Sequence, residues 1–389
     1  MIDPRIRRLI RGMARLSKYP AVLSLAVTLG CHPDPQLITV SRDGRYVAFP
    51  IDAEGRVPYG ENAAGAAQTA VIDLQTMTCR LIDLTLDEAI DDKGSPADVE
   101  AEGAAVMWLS IGGDRVAMQV GNEHVMVFGP AGMLLNVEGI TGSLSPDGKL
   151  LALGKDGNPK ADDDAGLWMI QIDTGQRTRI ASMGFAGVFS NDGKQLAYIG
   201  ATADADHDND ELPYVRIDDN HSFHLYVYDI DAGTTREMMN VGLVSSDKYC
   251  VLPAPTWAGT DQLLVNTPVE KDDDTGEVML VHLDGRSERL TSNSGQERNA
   301  HMTADGRVFY QQTDGDQPPV LMVATRDGDT WTHERVNQRG VLPNVAGNHL
   351  LWIAMDDDGD ERHAGRVMLR DADTGEVRDL SALTQAAAN

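Results

Sequence analysis

The chain has 389 residues, 24% of them Asp, Glu, Lys or Arg, with 60 acidic against 33 basic side chains and a formal net charge of −27. The length allows one large core or two or three smaller domains. The charge excludes a nucleic-acid binder, because affinity for a phosphate backbone comes from Lys and Arg; cationic partners, metal ions or simple solubility fit it better.

In chain order, Arg5, Arg7, Arg8, Arg11, Arg15 and Lys18 precede the apolar run Ala21-Val22-Leu23-Ser24-Leu25-Ala26-Val27-Thr28-Leu29. A basic stretch followed by an apolar segment too short to span a bilayer is the export pattern. Met13 offers a second, more compact start. The segment closes on Leu29-Gly30-Cys31, which resembles a bacterial lipoprotein signal and implies a lipid on Cys31. The expected organisation is a signal peptide over residues 1–30, a tether over 31–37 with Pro33 and Pro35, a folded body over 38–383 and a tail over 384–389. Without residues 1–30 the net charge becomes −32. The expected location is the bacterial envelope, the chain being exported and held to the membrane by lipid. Cys79 and Cys250 fall in non-adjacent repeats, too far apart to bridge, and read as separate thiols.

Four segments of the body share a turn: Ser41-Arg42-Asp43-Gly44-Arg45, Ser145-Pro146-Asp147-Gly148-Lys149, Ser190-Asn191-Asp192-Gly193-Lys194 and Thr303-Ala304-Asp305-Gly306-Arg307. Apolar runs flank each one, the signature of a hairpin. A second series, Asp173-Thr174-Gly175, Asp231-Ala232-Gly233, Leu283-Asp284-Gly285, Arg326-Asp327-Gly328 and Asp373-Thr374-Gly375, recurs in phase with the first. Two phased turn series per repeat give four short strands in a meander, one blade of a β-propeller. Blades then begin near Ile38, Ala104, Thr141, Gly184, Val251, Glu297 and Leu342. The predicted fold is all-β, a seven-bladed propeller of four-stranded antiparallel blades, with six or eight blades as alternatives. Residues 85–103 do not alternate and read as a helix or loop between blades 1 and 2. Residues 381–383 read as the end of the last strand, so that blade 7 is complete and the ring closes by packing and edge pairing between blades 1 and 7.

The run Ser145-Pro146-Asp147-Gly148-Lys149 and the stretch Ser41-Arg42-Asp43-Gly44-Arg45-Tyr46-Val47-Ala48-Phe49 resemble the repeat of TolB-type, WD40-like propellers, and the resemblance covers residues 38–383. The Pro-x-Trp that opens such repeats survives only as Pro255-Thr256-Trp257. The expected function is a TolB-like binding scaffold of the cell envelope, a monomer whose acidic loop face engages a protein partner or divalent cations.

No Gly-x-Ser-x-Gly elbow, phosphate-cradling loop or dinucleotide fingerprint occurs in the sequence. His221 and His224, three apart on a strand, point to opposite faces and make a poor metal pair. No catalytic residue is therefore assigned; a lyase or hydrolase with its site in the central funnel is the alternative function.

The six long connections between second and third strands, residues 52–68, 155–166, 201–221, 270–277, 312–319 and 354–365, hold 26 acidic and 6 basic residues among 78. A meander sends all of these to one face, and the turn residues Arg45, Lys149, Lys194 and Arg307 to the other, so the disk is expected to be electrically polar. Within the connections, Asp204, Asp206, Asp208 and Asp210, and Asp356, Asp358 and Asp360, have the alternating carboxylates that calcium prefers. Calcium is the one cofactor the sequence suggests.

Overall fold

The computed structural model describes residues 32–33, 37–52, 57–58, 68–83, 106–120, 124–155, 164–201, 222–243, 251–252, 254–268, 276–292, 295–314, 318–337, 340–347, 349–355, 364–371 and 374–387. These residues build seven four-stranded antiparallel meanders arranged as a β-propeller. The innermost strands are Thr39–Val40, Val106–Gly112, Thr141–Leu144, Gly184–Phe189, Thr256–Trp257, Gln296–Met302 and Gly340–Ala346. Each of the last three thus starts within a few residues of the position that the repeat predicts. The segment 85–103 lies outside the described residues.

The turn motif forms because its hydrogen bonds are local. Ser145 Oγ donates to Asp147 Oδ1 at 2.8 Å, and that oxygen accepts the Lys149 amide at 3.1 Å. Ser145 Oγ in turn accepts the Leu150 amide at 2.9 Å, which carries the chain into the second strand. Ser41 with Asp43 and Ser190 with Asp192 repeat all three contacts. In the fourth copy Thr303 replaces serine, keeping the bond to Asp305 and accepting the Arg307 amide. Gly148 has φ +69°, where an L side chain is strained, and a Cβ there would run into the Gly112 carbonyl of the neighbouring blade. Ser145→Ala removes one donor and one acceptor from this turn and is expected to cost about 1–2 kcal/mol in urea unfolding. A loss below about 0.5 kcal/mol would mean that the Asp-Gly hairpin holds without its serine.

Adjacent blades are stitched by side chains that bond the neighbour's backbone. Ser110 Oγ accepts the Leu144 amide, Trp257 Nε1 donates to the Val188 carbonyl, Thr256 Oγ1 donates to the Ala300 carbonyl and Gln311 Oε1 accepts the Leu342 amide. Arg80 on the outer strand of blade 1 donates to the Gly129 carbonyl of blade 2. Between sheets the apolar residues form shared clusters, each spanning two blades, as the inner faces of twisted sheets require.

The ring closes without an exchanged strand, since every blade supplies its own four. Leu37, Ile38, Val47, Phe49 and Ile72 from blade 1 pack with Val341, Leu351, Ile353, Val367 and Leu369 from blade 7. Asn344 Nδ2 donates to the buried Ile38 carbonyl at 3.0 Å. Two further devices were not anticipated. Val57–Pro58, inside the second-to-third connection of blade 1, pairs antiparallel with Ala364 and Gly365 of blade 7. Residues 381–383 are not strand: the last strand is Val377–Asp379, and Ser381–Ala387 is a helix. The reason is local, because Asp379 Oδ1 caps the Ser381 amide and the run Ser-Ala-Leu-Thr-Gln-Ala-Ala is rich in helix formers. Leu380 is fully buried, Ser381 Oγ accepts the Val367 amide, and the helix lies against Thr78–Asp83 of blade 1. At the other end of the body, His32–Pro33 pairs parallel with Val251–Leu252, so part of the expected tether is a strand.

Candidate functional site

The meander fixes what each face of the disk carries. First and third turns leave from one face, and the second-to-third connections root at the other, between strand ends such as Lys155 and Gly166 or Met355 and Ala364. The four calcium-type aspartates Asp204, Asp206, Asp208 and Asp210, and Asp356, Asp358 and Asp360, lie outside the described residues, as do Cys31, His221 and Cys250. Among the described residues no group of three His, Cys, Asp or Glu side chains is placed to hold a metal ion. At the root of the blade 3 connection, Lys155 Nζ lies 3.2 Å from Glu138 and 3.5 Å from Asp164. Burial opposes its charge, but the two carboxylates outweigh this and raise its pKa.

The turn face is not the cationic counterpart that the sequence suggested. Arg45 pairs with Asp73 at 2.8 Å, Lys149 with Asp147 at 3.1 Å and Arg307 with Asp305 at 2.9 Å. Arg286 with Asp284, Arg326 with Glu288 and Arg378 with Glu376 continue the pattern. The hydrogen bond from Arg45 holds Asp73 below the usual carboxylate range, and Arg378 does the same for Glu376. Six of the basic residues on this face are thus paired in place, each beside a carboxylate of its own turn or of a neighbouring hairpin; Lys194 and Arg42 make no such ion pair among the described residues. Such exposed pairs are screened by solvent and add little to stability.

His224 Nδ1 meets Glu237 Oε1 at 2.7 Å across one blade. Cys79 is a free, half-buried thiol whose pKa burial raises. Between blades 5 and 6, Glu277 is buried and accepts the Thr291 hydroxyl at 2.6 Å, and Thr291 Oγ1 accepts the Val278 amide. Glu297, fully buried, lies in the same seam, where Asn266 Nδ2 donates to its backbone carbonyl. Burial first, then the charges of Glu297 and Glu277, raise the Tyr310 pKa. This polar cluster ties two blades together.

The sequence pointed to the central channel only as an alternative site and named none of the residues that line it. Its walls come from the inner strands, and at its heart is a cavity of about 90 Å³ lined by Arg42, Trp108, Ser110, Asn299, His301 and Asn344 among others. Thr39, Ser143, Val188 and His301, each two residues before a turn hydroxyl, all face it. Arg42 reaches from blade 1 to blade 4, its Nη2 donating to the Phe189 carbonyl at 3.3 Å. Protein surrounds Arg42, and this burial lowers its pKa to about 10. The side chain nonetheless keeps the solvent access of an exposed residue. Water in the channel therefore limits the desolvation, and Arg42 is a cation at neutral pH. Beside it, burial and then the Arg42 charge lower the His301 pKa to about 3, so this imidazole is neutral. The sequence did hold one signal: the turn position of Arg42 is filled by Pro146, Asn191 and Ala304 in the other copies, and only blade 1 places a charge there.

No protein-family model matches the chain, and no curated protein matches it either. Solved structures resemble it in fold. A puromycin-hydrolyzing peptidase of Mycobacterium tuberculosis superposes with a TM-score of 0.52 at 15% identity, covering 89% of this chain and 53% of that one. The acylaminoacyl peptidase of Pyrococcus horikoshii gives 0.47 at 15% identity, over 70% of this chain and 45% of that one. A putative TolB from Agrobacterium tumefaciens gives 0.38 at 15% identity, over 70% and 79%. The chain thus spans about half the length of the two peptidases it resembles, and the likeness is one of fold. Among the described residues no helix is long and apolar enough to cross a membrane.

Proposed function

We propose that this propeller is a binding scaffold of the bacterial envelope, exported, anchored through lipid on Cys31 and related in use to TolB-type propellers. Its working surface is the face where the acidic connections root, and its partner is a cationic protein segment or divalent cations. The observation that carries this reading is the meander itself, which starts and ends all six acid-rich connections on one side of the sheets, while Arg45, Lys149 and Arg307 on the opposite side are paired with carboxylates there. Carboxylates gathered on one surface raise the local potential and concentrate cations within about 8 Å at physiological salt.

The alternative, a lyase or hydrolase working in the funnel, needs a positioned acid and base. The channel lining offers one cation, one neutral histidine, hydroxyls and amides, a set better suited to holding a ligand than to proton transfer. Melting the protein with calcium and with a chelator tests the ion half of the proposal. A rise of several degrees in calcium, lost when Asp204, Asp206, Asp208 and Asp210 are changed to Asn, is expected for a specific site; equal melting in both conditions leaves the protein partner as the only occupant.

A further inference from the structure

We propose that the central channel is a binding site for a small carboxylate, held by the Arg42 guanidinium. The first ground is charge. In a chain with 60 acidic residues, the lining of this cavity contains Arg42 and no Asp or Glu. Among the described residues Arg42 has one hydrogen-bond partner, the Phe189 carbonyl, and no ion-paired carboxylate, whereas Arg45, Arg286, Arg307, Arg326 and Arg378 each have one within 2.9 Å. A guanidinium has five N–H donors in a fork that matches a carboxylate, so most of this group's capacity faces the channel unused.

The second ground is the wall. Trp108 is 2% exposed, lines the cavity, and its Nε1 has no hydrogen-bond partner. That nitrogen has no measurable solvent access, so the indole bounds the cavity as an apolar wall rather than as a donor. Asn299 and Leu342, also in the lining, hold left-handed φ values of 53° and 49°, and both sit where their inner strands break register, between Arg298 and His301 and between Val341 and Asn344. Bulges of this kind re-aim side chains beside binding sites, and non-glycine residues in this region of φ are strained. Ala186 in blade 4 repeats this φ at a matching register break, so three inner strands carry the bulge, and those of blades 6 and 7 place it in the cavity wall.

The third ground is size. A water needs roughly 10–15 Å³ of such volume, so about 90 Å³ holds about six to nine, the bulk of a small acid such as pyruvate or succinate rather than a peptide. His301, neutral beside Arg42, adds a hydrogen-bonding ring without adding charge.

Calorimetric titration of the full chain at neutral pH with sodium succinate, sodium pyruvate, sodium phosphate and sodium chloride tests the proposal. Saturable binding of succinate or pyruvate is expected, weakened about ten- to a hundredfold in Arg42→Gln, since charge-assisted hydrogen bonds are worth about 1.5–3 kcal/mol. Arg42→Lys, which keeps the charge but loses the fork, should weaken it less, and Arg45→Gln, on the exposed turn face, should leave it unchanged. All three variants are checked for folding by melting, and if Arg42→Gln fails to fold, the comparison of Arg42→Lys with Arg45→Gln decides. Failure of both acids to bind, tighter binding of phosphate than of either acid, or unchanged affinity when Arg42 is replaced overturns the assignment. The scaffold reading of the acidic face stands or falls separately, since Arg42 lies at the turn end of the channel.

Discussion

Leu351→Ala is expected to lower the unfolding free energy by about 2–5 kcal/mol. Leu351 is fully buried in the cluster that joins blade 7 to blade 1, and shortening it leaves a cavity that the surrounding strands can fill only in part. The size matters because domain stabilities are only about 5–15 kcal/mol. No strand is exchanged across this seam, so side-chain packing, the Val57–Pro58 pairing, the Asn344 bond and the terminal helix hold the ring shut. Leu151→Ala, buried equally in the cluster between blades 2 and 3, is the internal comparison. Urea unfolding of both variants, read with the m-value, should show losses in the same range. A cost below about 1 kcal/mol at Leu351 with the full cost at Leu151 would mean that the closing seam is loosely packed and the ring is held by other means.

The second large effect is acid sensitivity in a window where carboxylates are silent. The folded-state pKa of His301 is depressed to about 3, against about 6.5 for an unfolded histidine. For a base lowered on folding, the native state is fully favoured above the unfolded pKa and loses ground as pH falls, because the unfolded chain binds a proton that the native chain refuses. From pH 6.5 to pH 5 the loss is about 2 kcal/mol. His333, lowered by burial, adds to the same slope. The carboxylates that are lowered on folding, Asp73, Asp147, Asp192, Asp284, Asp305 and Glu376, lose their contribution only further down, as pH drops through and below the usual carboxylate range. Melting temperature against pH for the native chain and for His301→Gln separates them: the variant should have a visibly flatter profile between pH 6.5 and 5. Parallel profiles would show that His301 takes up its proton as readily in the folded chain as in the unfolded one.

The parts of the fold that were legible in the sequence are those whose bonds close within a few residues. The Ser-x-Asp-Gly turns could be read directly because Ser145, Asp147 and the Leu150 amide satisfy one another inside six positions. Counting two phased turn series was then enough to give seven blades. The closure was only half legible. That blade 7 is complete followed from its strand count, but the helix after Asp379 was hidden because Leu380 and Leu383 suit a strand end as well as a buried helix face. The clip at Val57 depends on a strand edge more than 300 residues further along the chain. A central funnel followed from the predicted propeller, but its lining was not legible, since Arg42, Trp108 and His301 come from three blades and meet only once the ring has closed. The basic turn residues misled for a related reason: Arg45 could be seen as a charge, while its pairing with Asp73 needed the hairpin geometry.

The most direct test of the proposed surface is the binding of a lysine-rich peptide, measured at low and at physiological salt, to three forms of the chain. One is native, one has the Asp and Glu residues of 201–221 and 354–365 changed to Asn and Gln, and one has Asp73, Asp284, Asp305 and Glu376 on the turn face changed in the same way. The scaffold account predicts salt-sensitive binding that is lost in the second form and kept in the third. Equal weakening in both variants, or a native chain that leaves the peptide unbound at low salt, would contradict it.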